Sequence, residues 1–149
     1  MNTFVALVAA VGVGGIISAI VGHHTAISNH RQAWINALRD DLAEYFKALG
    51  SMNDLMPFYL KDSQKYEPAK SEIRAAIFFT YERIRLRLNR TEELHLELER
   101  KLREFLDEPI NQAMDGRGKI DEAVDLARKV LKREWEVTKH PWAPWRRAH

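Results

Sequence analysis

Glu92-x-x-His95 is the spacing in this chain that comes nearest to ligating a metal. Residues three apart share a helix face, and a carboxylate–imidazole pair at that spacing recurs in bundle di-metal sites. Such sites need two of these motifs and two further carboxylates. One is present, and His95 is the only histidine between His30 and His140. No metal and no other cofactor is therefore predicted. His23, His24 and His30 lack the i, i+4 pairing of a helical metal face and read as residues of a membrane–water boundary. There, protonation of His23 and His24 would make packing sensitive to pH.

Arg83, Arg87 and Arg90 fall on one helix face, opposite an apolar stripe of Ile77, Ile84 and Leu88. The face is a possible partner surface, and phosphate is one ligand it could take. Interleaved Glu82, Glu92 and Glu93, with no stacking aromatics, argue against nucleic acid and for a solvated, ion-paired face. Asn89-Arg90-Thr91 matches a glycosylation acceptor, but a helix cap at Thr91 is the simpler reading. There is no phosphate-cradling glycine loop, no Gly-x-Ser-x-Gly elbow and no cysteine. Neither an enzyme nor a small-molecule substrate is predicted.

The elements that carry these residues begin with a contrast. The first 30 of 149 residues contain no Asp, Glu, Lys or Arg, whereas the whole chain has 23 basic and 21 acidic residues and a net charge of +2. Residues 4–21 are Phe, Val, Ala, Leu, Gly, Ile and one Ser. As helix they rise about 27 Å, close to a bilayer's hydrocarbon core. A secretory signal would carry Lys or Arg ahead of its apolar stretch, so an uncleaved anchor is expected. Arg31 and Arg39 follow the span and no basic side chain precedes it, which places the C-terminal part in the cytoplasm and the N-terminus outside. For a bacterial chain this means a single pass of the inner membrane.

Ala6, Ala10, Gly14, Ser18 and Gly22 recur every four residues and line one stripe of the span. Small residues let helix backbones approach closely in lipid, so the stripe is read as a packing face for self-association or for a partner's span. Arg31, Trp34 and Arg39 sit at the expected membrane interface, although Trp34 also matches the apolar stripe of the helix that follows.

That stripe is Trp34, Ile35, Leu38, Leu42, Tyr45, Phe46 and Leu49, and nothing between Gly22 and Leu49 breaks a helix. The membrane helix is expected to run on to Gly50 and Ser51, with a short turn later near 55–60. A second helix over 69–88 carries Ile73, Ile77, Tyr81, Ile84 and Leu88. A third, capped at Thr91, carries Leu94, Leu98, Leu102 and Phe105 and ends near Glu108-Pro109. After a turn at Asp115-Gly116-Arg117-Gly118, a last helix to about Lys139 carries Ile120, Val124, Ala127, Leu131 and Trp135. His140-Pro141 stops it. The fold class is all-α: one transmembrane helix continuing into an antiparallel bundle. The expected divisions are an anchor over 1–26, a cytoplasmic bundle over 27–140 and a Trp/Arg-rich tail over 141–149. Trp142 and Trp145, beside Arg146 and Arg147, are further candidate contacts, at a lipid interface or in a groove.

Three blocks carry a resemblance. They are Ile27-Ser28-Asn29-His30-Arg31-Gln32-Ala33-Trp34-Ile35-Asn36-Ala37-Leu38-Arg39, Ile84-Arg85-Leu86-Arg87-Leu88-Asn89 and Val130-Leu131-Lys132-Arg133-Glu134-Trp135-Glu136. In that order they resemble a group of small bacterial and phage proteins with one N-terminal span and a helical cytoplasmic domain. This chain has Arg90 where that group suggests Pro. The resemblance implies an anchored accessory protein, and a role in phage–host conflict, without implying an activity.

The expected function is a membrane-anchored, non-enzymatic scaffold or interaction module. Its partners would be membrane lipid and further copies of itself or another membrane protein. Two alternatives remain: a pore- or lesion-forming effector, and a phage lysis protein with a periplasmic helical domain.

Overall fold

The computed structural model describes residues 2–107 and 116–139, with side chains over 26–107 and 118–139. It contains four helices, α1 (Asn2–Tyr59), α2 (Ser63–Arg87), α3 (Glu93–Asp107) and α4 (Gly116–Lys139). No strand occurs among the described residues. The all-α expectation holds, as does the continuation of the N-terminal helix into the bundle.

Cross-helix pairs fix the directions. Asp41 and Glu44 ascend α1 while their partners Arg87 and Arg83 descend α2. Lys101 of α3 meets Glu122 of α4, and Glu92, just ahead of α3, meets Arg133. Arg31 of α1 meets Glu134 near the end of α4. Each helix is therefore antiparallel to its neighbours in an up-down-up-down bundle.

The core holds Ile35, Leu38, Tyr45, Ile84, Leu98, Leu102 and Val130, all fully buried. Removing a side chain of this size from water contributes about 1.5–3 kcal/mol. Ala123 and Ala127 are also buried, and their small side chains allow α4 to lie close to its neighbours.

Five boundaries or faces differ from the sequence expectation. The first helix does not stop at Gly50 and Ser51 but runs to Tyr59. Met52 and Met56 extend the buried register of Leu42, Tyr45 and Leu49, and their packing outweighs the glycine's weak helix propensity. The second helix starts six residues before 69 because Asp62 caps it, its Oδ1 accepting the Lys65 N–H at 3.1 Å. Thr91 does not cap the third helix. Its N–H and hydroxyl both donate to Asn89 Oδ1, and the helix begins two residues later. Gly116 opens α4 rather than belonging to a turn, and the inward face of α4 is Ala123, Leu126, Ala127, Val130 and Glu134. Ile120 and Leu131 lie at its margin, and Trp135 is 40% exposed.

Among the described residues no helix is long and apolar enough to cross a membrane. The uncharged run over 4–21 continues the backbone of α1, but its side chains lie outside the described residues, as do those of Ala6, Ala10, Gly14, Ser18 and Gly22. The helix end at Glu108-Pro109, the stop at His140-Pro141, and the tail with Trp142 and Trp145 also lie outside them.

Candidate functional site

The bundle buries polar side chains at one end, where α1, the α2–α3 turn and α4 converge. His95 is 1% exposed and Glu134 is 3% exposed. Both occupy apolar register positions: His95 precedes Leu98 and Leu102 on α3, and Glu134 follows Ala127 and Val130 on α4. A charged residue on an inward stripe must be paired, because an unpaired buried charge is strongly disfavoured.

Glu134 is paired from two sides. Arg31 Nη2 donates to its Oε2 at 2.6 Å, and His95 Nε2 faces its Oε1 at 3.6 Å. Burial alone would push the Glu134 carboxyl up. The His95 ring and the Arg31 guanidinium outweigh burial and hold it below the usual carboxylate range. The other ring nitrogen of His95, Nδ1, accepts the Asn89 backbone N–H at 2.9 Å. Trp34 lies against the ring, with centroids 6.2 Å apart and planes 14° from parallel. Arg31, Trp34, Arg87, His95 and Glu134 line an open pocket of about 260 Å³ there.

Donor atoms of Glu92, His95 and Glu134 lie within 4.8 Å of one another, near enough to share a metal ion. The hydrogen bonding opposes that use. Only a ring nitrogen without a proton can accept the Asn89 N–H, so the neutral ring carries its proton on Nε2, where a metal would have to bind. Arg31 already occupies Glu134, and Arg133 stands 3.6 Å from Glu92. The cluster is an ion-paired clasp. It joins residues of all three sequence blocks: Arg31 and Trp34, Arg87 and Asn89, and Arg133 and Glu134.

A second polar cluster ties α1 to α2. Buried Asp41 accepts from Arg87 Nε at 2.6 Å and lies 3.2 Å from Arg83 Nε, and Arg83 also pairs with Glu44. Arg83 and Arg87 thus turn toward α1, while Arg90 reaches Glu99 at 3.9 Å. Arg39 is exposed and donates to Asn36 Oδ1 at 3.3 Å. Elsewhere on α2, Phe79 is 67% exposed and Leu86 85% exposed, and Phe78 is half-exposed.

Sequence spacing isolated Glu92 and His95 but missed Glu134 and Asp41, the acids that organise the two clusters. The signal was present: each sits three or four residues from inward-facing apolar positions of its own helix. Neither cluster holds the nucleophile, base and oxyanion donors of an acyl-transfer site.

The fold defines a four-helix bundle of the up-down-up-down class with an extended first helix. Beyond that class, no protein-family model, no curated protein and no solved structure matches the chain.

Proposed function

We propose that this chain is a membrane-tethered, non-enzymatic interaction module that concentrates its bundle on a membrane plane and self-associates through its apolar N-terminal helix. The observation that supports this most directly is the continuity of α1. One helix runs from Asn2 to Tyr59, carries a charge-free stretch over its first half, and supplies Ile35, Leu38, Leu42 and Tyr45 to the core in its second half. A tether built this way needs no linker between lipid and bundle. In this reading residues 4–21 span a bacterial inner membrane with the bundle in the cytoplasm, and Ala6, Ala10, Gly14, Ser18 and Gly22 pack copies together.

The test is fractionation of expressing cells, followed by sizing of the detergent-extracted particle. The intact chain is expected in the membrane fraction, resistant to carbonate and released by detergent. Gly14→Leu is expected to shrink the particle. Recovery in the soluble fraction without detergent overturns the tether, and equal particle sizes overturn the packing face. A C-terminal alkaline phosphatase fusion is expected to be inactive, and an active fusion would place the bundle outside.

A further inference from the structure

We propose that His95 is a proton-operated latch that holds the α2–α3 turn in one charge state and α4 more firmly in the other. The ring is buried and engages its surroundings through opposite nitrogens. Nδ1 accepts the Asn89 N–H at 2.9 Å, which places the single proton of the neutral ring on Nε2. Among the described residues that Nε2–H meets no acceptor at hydrogen-bond distance, and it faces Glu134 at 3.6 Å, too far for a hydrogen bond and close enough for a charge to be felt.

The groups around the ring come from every element packed there. Arg31 enters from α1 and Arg87 from α2. Glu92 lies ahead of α3, and Glu134 comes from α4. Arg133, also of α4, stands 3.6 Å from Glu92. Arg31 and Arg87 are committed to Glu134 and Asp41, so the ring sees a carboxylate on one side and a backbone donor on the other.

A second proton, taken from solvent, has only Nδ1 to bind. There it opposes the Asn89 N–H, donor against donor, and that bond is lost. The same proton gives the ring a positive charge beside Glu134. Acidification therefore exchanges one attachment for another. The turn over 88–92 is released from the ring, and α3 is drawn to α4. Raising the pH restores the first state. The latch operates whether or not residues 4–21 lie in lipid.

The experiment is NMR of the full-length chain in detergent micelles from pH 8 to pH 5, following the His95 ring carbons and the Asn89 amide. The Asn89 amide proton is expected to move upfield with the same midpoint as the ring, and its protection factor to fall about 10-fold as its hydrogen bond opens. An Asn89 amide that stays in place while the ring titrates overturns the latch. So does a ring that takes no second proton by pH 5. His95→Asn supplies a non-titrating acceptor near the Nδ1 position, and its Asn89 amide is expected to be flat across this range. Equal movement in that variant also overturns the latch. The wild-type titration is decisive by itself if the variant does not fold.

Discussion

Arg31 and Glu134 meet at 2.6 Å across 103 positions of sequence, and theirs is the ion pair that closes α4 onto α1. Glu134 is nearly inaccessible, whereas the Arg31 side chain keeps 31% of its exposure. Removing the acid strands the guanidinium and takes away the carboxylate that His95 Nε2 faces at 3.6 Å. Glu134→Ala should lower unfolding stability by about 2–3 kcal/mol, below the range for fully buried pairs because solvent screens Arg31. Chemical denaturation of both proteins in the same detergent measures it. An unchanged midpoint would contradict the clasp.

The same carboxylate sets an acid limit. Its folded value lies below the ordinary 4.5, so its ionised form favours the fold. That contribution is fully present above the ordinary value and is lost as pH falls through it toward the lower folded one. Stability should therefore drop below about pH 4.5, and Glu134→Gln should flatten that part of the profile. Thermal melts at several acid pH values compare the slopes.

Tyr45 gives a limit at the other end. Its hydroxyl is buried and donates to the Leu102 carbonyl at 2.7 Å, a bond between α1 and α3. Burial, with a smaller effect of Tyr81, raises the hydroxyl above its ordinary 10.0. The neutral form favours the fold, so this contribution is intact below the ordinary value and is lost as pH rises beyond it. Tyr45→Phe should cost about 1–2 kcal/mol at neutral pH, and it should remove part of the loss above about pH 10. Denaturation at pH 7 and pH 10.5 separates the two effects.

Gly50 offers a gain. It lies inside α1, and a Cβ added there meets nothing within 4 Å. Gly50→Ala should stabilise the chain by about 0.5–1 kcal/mol by restricting the unfolded backbone and favouring helix. A lower melting temperature would mean that α1 bends at this point.

The helices and most of the core were legible because apolar residues recur at helical spacing. Ile35, Leu38, Leu42, Tyr45, Ile77, Ile84, Leu98 and Leu102 all lie where their periodicity places them. Gly50 misled because local propensity is weaker than the tertiary packing of Met52 and Met56. Trp135 misleads because its apolar character suggests an inward side chain, whereas α4 turns Glu134 to the core and leaves the indole partly wet. Glu134 could not be recognised as a partner of His95 from its own neighbourhood. Their pairing depends on α3 and α4 being antiparallel, a relation that exists only once the bundle has closed. Asp41 was hidden in the same way, since its two arginines lie on the next helix.

At 1.5 Å per residue, α1 is a rod of about 87 Å with no proline before Pro57. Arg31 stands on that same unbroken helix, so the charge-free first half of α1 and the contact that closes α4 share one continuous backbone.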